Sequence, residues 1–231
     1  MALDSETFSL LKDSVQRFIR ERLVPAENSV EELDDVPSDI VDDMKELGLF
    51  GLSIPEEFGG IGLSMAQECE VAYELGQTAL AFRSVVGTNI GIGSQGILMD
   101  GTEAQKAYYL PKLATGELSS SFALTEPDAG SDAASLRTTA IKDGDHYVVN
   151  GTKRYITNAP HSKIFTLMAR TNPADKGAGG VSAFIVDAKT PGISLGKNDQ
   201  KMGQKGAHTC DVIFDNVRVP AANLIGGQEG Q

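Results

Sequence analysis

The sequence predicts an α+β protein, an all-α N-terminal part followed by an all-β barrel or sandwich. Three observations carry that expectation. Two capping boxes, Ser64 with Gln67 and Thr102 with Gln105, precede helical apolar periodicity in the first half. Past Gly116 the period changes to short alternating runs separated by turn residues. The one dinucleotide-like pattern, Gly91-Ile-Gly93-Ser-Gln-Gly96, lies between helical stretches and lacks the preceding strand a βαβ unit needs. Its small residues are expected to allow close packing. The boundary is expected near Gly116 to Ser119, which gives a helical unit over residues 1–117 and a β unit over 118–231.

The first helix is expected to bury Phe8, Leu11, Val15, Phe18 and Ile19, with the stem of Arg22 laid along that face and Pro25 ending it. The acidic run from Glu27 to Asp43 reads as solvated surface. Inside it, Pro37 suits a first helical turn. Ile40, Val41, Met44 and Leu47 supply an apolar face, and Gly48 a C-terminal stop. Leu52 to Gly60 is loop chemistry. The capping boxes then predict helices over Met65 to Ala81 and Ala104 to Leu113. Between them Phe82 to Met99, nearly uncharged after Arg83, reads as one helix buried on most sides.

In the second half Asn150-Gly151 sits between two alternating runs, as a two-residue hairpin turn would. That hairpin accounts for the Asn150-Gly-Thr152 sequon. Further strands are expected at Ile164 to Ala169, Val181 to Val186, Ile193 to Leu195 and Cys210 to Phe214.

Composition narrows the function classes. The chain has 231 residues, 41% hydrophobic and 23% charged, with a net charge of −12. Acidity of that size argues against a nucleic-acid partner. No apolar run approaches the ~20 residues of a membrane span. The N-terminus shows neither secretory nor transit pattern, so a cytoplasmic protein is expected. Cys69 and Cys210 read as two small buried hydrophobes. His146, His161 and His208 have no metal-ligand spacing, and no metal is expected.

Three segments, taken together, resemble the acyl-CoA dehydrogenase family. They are Ser121-Phe-Ala-Leu-Thr-Glu-Pro-Asp-Ala-Gly-Ser-Asp132, Asn150-Gly-Thr-Lys-Arg-Tyr-Ile-Thr-Asn158, and Met202-Gly-Gln-Lys-Gly206 continuing to Val212–Pro220. Gly48-Leu-Phe-Gly51 and Ile54-Pro-Glu-Glu-Phe-Gly-Gly60 are similar too, so the likeness covers nearly the whole chain in order. The resemblance implies FAD as cofactor and α,β-desaturation of acyl-CoA thioesters, in which a carboxylate removes the α-proton and the β-hydride passes to flavin N5. It implies cofactor contacts from Phe122, Ala123, Leu124, Thr125, Gly130, Ser131, Tyr155, Ile156 and Thr157, with Ser131 also near the thioester.

The chemistry agrees. A flavin needs hydrogen bonds along its polar edge and apolar or aromatic cover. Thr125 and Thr157 suit the first, and Tyr155, at a position often Trp in the family, suits the second. Pro127 and Gly130 shape a loop whose N–H groups approach phosphate. Asp128 stands where Gly is common and is expected to face solvent. The resemblance further implies an electron-transferring flavoprotein as electron acceptor and a homo-oligomer.

By the same resemblance, the base and an oxyanion-stabilising N–H belong to a C-terminal helical domain, before which this sequence stops. Glu126 is not expected to replace that base. General-base catalysis is worth roughly 10²–10⁴-fold and each oxyanion donor about 10²–10³-fold, so the chain alone is expected to be inactive. Two other readings stand beside this one: an acyl-CoA oxidase or flavin monooxygenase on the same scaffold, and a flavin- or acyl-CoA-binding module without turnover. Acyl chain length, set by pocket depth near Leu80 to Ile97, is not legible.

Overall fold

The computed structural model describes residues 3–230. Seven α-helices precede seven strands: α1 Ser5–Phe18, α2 Val24–Leu33, α3 Ser38–Glu46, α4 Met65–Leu75, α5 Leu80–Gly87, α6 Gln95–Asp100 and α7 Glu103–Ala114, then β1 Ser120–Ala123, β2 Thr139–Asp143, β3 His146–Thr157, β4 Ile164–Arg170, β5 Val181–Asp187, β6 Ile193–Leu195 and β7 Thr209–Pro220. The class is the expected α+β.

Helix starts follow local chemistry. Asp4 accepts from the N–H groups of Glu6 and Thr7 at 3.0 Å and opens α1. Both predicted capping boxes form, at Ser64/Gln67 and Thr102/Gln105. Gly48, at φ +77, ends α3 as expected.

Three helical expectations need correction. Pro25 does not end the first helix. Residues Ile19–Leu23 form a π turn, Val24 N–H donates to Ile19 O five residues back, and α2 continues through Pro25. A proline inside an ordinary helix costs about 3 kcal/mol. Placed near the start of a segment whose ladder has just slipped, its missing N–H interrupts little. The head of Arg22 reaches α3, its Nε pairing with Asp43 at 2.7 Å and its Nη2 with Asp39 at 3.0 Å.

The helix expected to reach Ala81 stops at Leu75, and α5 starts anew with Ala79 N–H held by the Glu27 carboxylate at 2.9 Å. The single buried helix expected from Phe82 to Met99 is α5, a π turn at Thr88–Gly93 and α6. That π turn docks on the sheet. A Cβ on Gly93 would lie 2.7 Å from Ser120 Cβ, and Gly93 O accepts from Thr166 Oγ1 at 2.7 Å. Of the three glycines in the pattern, Gly93 alone serves close packing: a Cβ on Gly91 would meet nothing within 4 Å, and one on Gly96 only ordinary contacts at 3.8 Å.

The strands form one curled sheet in the order β1-β4-β2-β3-β7-β6, with β5 antiparallel on β4. β1 runs parallel to β4, so the β2–β3 excursion acts as their crossover. The expected hairpin at Asn150-Gly151 does not form, because β3 passes straight through it. The hairpin turn lies one strand earlier, where Asp143 pairs with His146 around Gly144 at φ +62. Asn150-Gly151 instead faces a bulge in β7. Register slips between Val149↔Val217 and Gly151↔Phe214, Asn216 takes φ +50, and Asn216 N–H donates to Asn150 Oδ1 at 2.8 Å. β7 also runs on to Pro220, beyond the expected Phe214, and β1 and β2 were not anticipated.

Three apolar cores result among the described residues. One lies among the helices, one inside the sheet, and one joins them through Ile54, Ile97, Leu110, Ile164, Ile185 and Ile225. Cys210 is buried as expected, in the sheet core, where burial pushes its thiol up to about 11; Cys69, on the outer side of α4, is exposed instead. One thiol is expected to react quickly with an aromatic disulfide at pH 8, and the second only after denaturation. Two fast thiols would mean that β7 opens readily.

Candidate functional site

The two segments singled out in the sequence lie side by side. Arg154 N–H donates to Thr125 O at 2.7 Å, and Ser121 Oγ donates to Thr157 O at 2.6 Å. The end of β1 with its following loop therefore runs along the second half of β3.

There β3 carries its own bulge. Its inward side chains alternate through Tyr147, Val149 and Lys153, and Tyr155 is next in phase. Register slips between Lys153↔Val212 and Ile156↔Cys210, and Tyr155 adopts φ +57. That backbone is uncommon for a bulky residue. It turns Tyr155 outward, 63% exposed, and Ile156 inward, 2% exposed. Arg154, bidentate on Asp211 at 3.2 and 3.1 Å, stands 5.9 Å from the Tyr155 ring centre.

Thr125 and Thr157 are half-buried, and among the described residues neither hydroxyl has a protein hydrogen-bond partner. The loop after Thr125 begins with a tight turn, Glu126 N–H to Ala129 O at 2.9 Å. Beyond it Gly130 and Ser131 are exposed, and their N–H groups have no acceptor among the described residues. A Cβ on Gly130 would touch nothing within 4 Å. Phe122 and Leu124 are half-buried and Ala123 fully buried, so Ala123 can offer only its backbone outward. Asp128 is exposed as expected and pairs with Arg137 Nη1 at 3.0 Å, which offsets its charge.

Under this surface lies an ion pair that periodicity did not reveal. Lys153, fully buried, donates to Glu126 Oε1 at 2.8 Å and Leu124 O at 3.0 Å. Glu126 also accepts from Arg137 N–H at 2.6 Å and Thr138 N–H at 2.9 Å. Burial pushes the Glu126 carboxyl up, but the Lys153 contact and the two N–H donors outweigh it and hold it below the usual carboxylate range. Burial pulls the Lys153 ammonium down, against the opposing pull of Glu126. Glu126 is thus a committed structural carboxylate. The available signal was a Lys in phase with the inward Tyr147 and Val149.

Asn89 and Asn158 tie this region to the helices. Asn89 Nδ2 donates to Leu113 O at 3.0 Å while its Oδ1 accepts from Ser120 N–H at 3.1 Å. Asn158 Nδ2 donates to Ser84 O at 2.8 Å and Thr88 Oγ1 at 3.0 Å. A separate cleft of about 770 Å³, lined among others by Val36, Val41, Phe50, Asn158 and His161, contains none of the nine predicted cofactor residues.

Comparison with known proteins follows the same division. The family model for the acyl-CoA dehydrogenase N-terminal domain matches residues 5–117, and that for the acyl-CoA dehydrogenase middle domain matches 121–217. An acyl-CoA dehydrogenase of Bacillus subtilis (strain 168) is 40% identical over 221 residues, covering 96% of this chain and 58% of its own length. The structure of butyryl-CoA dehydrogenase from Megasphaera elsdenii superposes with a TM-score of 0.92 at 30% identity, over 100% of this chain and 61% of that one. An acyl-CoA dehydrogenase from Bacillus anthracis, solved in complex with FAD, superposes with a TM-score of 0.87 at 35% identity, over 98% and 38%. The chain thus spans less than two thirds of each of these relatives.

Proposed function

The chain belongs to the acyl-CoA dehydrogenase family, and from that premise we propose that it supplies an FAD-holding surface for α,β-desaturation of acyl-CoA thioesters. One observation carries the reading: unspent hydroxyls, unspent N–H groups and an outward-turned aromatic converge where β1 and β3 run together. The residues would be Phe122, Ala123, Leu124, Thr125, Gly130, Ser131, Tyr155, Ile156 and Thr157, with Ser131 also facing the thioester. We divide the chain into a helical unit, 1–117, and a flavin-holding unit, 118–231.

When bound, FAD supplies the two-electron acceptor. The chain's own residues bind and orient. The Thr125 and Thr157 hydroxyls donate or accept along a polar ring edge. Tyr155 offers a flat apolar face. The Gly130 and Ser131 N–H groups suit a phosphate. The buried Lys153–Glu126 pair fixes the loop bearing Thr125.

No carboxylate of this surface is assigned as base, since Glu126 is spent on Lys153 and two N–H donors. The chain by itself is proposed to hold cofactor without turning over acyl-CoA. An electron-transferring flavoprotein as acceptor and a homo-oligomeric assembly belong to the same proposal.

The test is a visible-absorption titration of the chain with FAD. A shifted, structured flavin spectrum is expected. Thr125→Val and Thr157→Val should each weaken binding by about 5–10-fold, one hydrogen bond apiece. Tyr155→Ala should weaken it by roughly 10–30-fold through lost aromatic cover. FAD that remains free throughout overturns the proposal.

A further inference from the structure

Away from the FAD surface, three side chains from distant parts of the sequence converge, two of which, Asp35 and His161, line the 770 Å³ cleft. Asp35 follows α2, His161 lies between β3 and β4, and His208 leads into β7. His161 Nε2 lies 3.1 Å from His208 Nδ1 and 3.4 Å from Asp35 Oδ1, and one ligand atom from each residue falls within 4.8 Å of the others. We propose that Asp35, His161 and His208 form a binding site for a divalent transition-metal ion of the zinc class. The proposal is independent of the FAD reading.

The distances carry it. A four-coordinate ion holds nitrogen and oxygen ligands at about 2.0–2.2 Å, which places neighbouring ligand atoms roughly 3.3 Å apart. The separations of 3.1 and 3.4 Å straddle that value. Without an ion, a neutral His161 cannot serve both contacts. A neutral His161 carries at most one hydrogen on Nε2, yet that atom faces both a second imidazole nitrogen and a carboxylate oxygen. If the hydrogen is there, one partner goes unserved. If it is absent, a lone pair faces the carboxylate. A dication accepts all three lone pairs at once.

The backbone holds the three ligands in place. Asp35 Oδ1 accepts from Val36 N–H at 2.8 Å. His161 N–H donates to Asn158 O at 3.0 Å, and Ser119 Oγ donates to His161 O at 3.0 Å. His208 O accepts from Asn158 N–H at 2.8 Å. Asn158, in the left-handed region at φ +59, therefore bonds to both histidine segments. Asp34 Oδ1 binds Gly206 N–H at 2.9 Å, drawing the loop before His208 against the turn that bears Asp35. Lys205, in the loop before His208, stands 3.9 Å from Asp34 Oδ2, so that positive charge faces a carboxylate of its own. His161 and Asp35 are about half exposed, which leaves a fourth position for water. The ion would clamp the helical part of the chain to the sheet.

The test uses the 231-residue chain without a histidine tag, stripped with a chelator. Titration with Co²⁺ is expected to saturate at one equivalent with visible ligand-field bands of four-coordinate strength, and Zn²⁺ should abolish them. His161→Gln, His208→Gln and Asp35→Asn should each weaken binding by about 100-fold or more, beyond the 10–100-fold typical of groups that merely orient a ligand. His146→Gln, on a half-buried histidine outside the cluster, should not. A second readout needs no substitution: Zn²⁺ should protect His161 and His208, but not His146, from acylation mapped by mass spectrometry. Bands that fail to appear, that persist in His208→Gln or Asp35→Asn, or histidines acylated equally with and without Zn²⁺, would overturn the proposal.

Discussion

Lys153→Met is expected to destabilise the chain by about 3–5 kcal/mol, because it leaves the Glu126 carboxylate buried without its counter-charge. The methionine replaces the stem of the lysine at little packing cost. What is lost is the ammonium lying 2.8 Å from Glu126 Oε1 and 3.0 Å from Leu124 O. Two N–H donors remain on Glu126, and they are too few to solvate a full charge in a side chain only 5% exposed. Urea denaturation checks the figure. Lys153→Met/Glu126→Gln should recover part of the loss, since the charge is gone while one N–H still finds an oxygen. A single substitution costing under about 1 kcal/mol would show that water reaches the pair. The pH dependence has a definite sign. A carboxyl held low in the folded state contributes stability that is present above its unfolded value near 4.5 and is lost as pH falls through its folded value. Glu126→Gln should therefore flatten the acid limb of the stability profile.

Gly151→Ala is expected to cost about 3 kcal/mol or more. A Cβ there would sit 2.3 Å from Thr138 Oγ1 and 2.7 Å from Thr138 Cα. The second distance decides the outcome, since a hydroxyl can rotate away but a main-chain carbon cannot. The backbone at φ +153 adds strain for any side chain, on top of the roughly 1–3 kcal/mol typical of overpacking. Thr138 Oγ1 is also the only buried side-chain polar atom without a partner among the described residues, so this corner has little slack. Thermal unfolding checks the cost. Gly130→Ala, at a position where a Cβ meets nothing, should leave the midpoint nearly unchanged and serves as the control.

These two residues also mark where the sequence was legible and where it was not. Ser64 with Gln67 and Thr102 with Gln105 announced their helices because a capping box is complete within four residues. The fold class followed from such local signals. Asn150-Gly151 misled because the same dipeptide satisfies a hairpin turn and the partner of a bulge. Only the pairing of Asn150 with Asn216, 66 residues away, separates the two. Pro25 misled because the π turn at Ile19–Leu23 that precedes it has no local sequence signature. At the candidate site, the family resemblance picked out segments that the fold does bring together. The Lys153–Glu126 pair beneath them spans 27 residues and the Asp35–His161–His208 cluster far more; strand phase marks Lys153 as inward, but no spacing rule names its partner or assembles the cluster.

One capping residue has a consequence for how the chain acquires its structure. Gln105 completes the start of α7, yet its Nε2 also donates to Ala222 O and Leu224 O, both at 2.8 Å, and its Oε1 accepts from Gly226 N–H at 3.3 Å. Ile225, beside them, fills the core shared by helices and sheet. A glutamine near the middle of the chain thus waits for partners made almost 120 residues later. During synthesis, at about 5–20 residues per second, α7 would spend many seconds with that amide exposed to solvent or to chaperones. Contacts of such long sequence separation slow folding. The helices are therefore expected to reach their final protection from hydrogen exchange only when residues 222–226 have left the ribosome and closed over them.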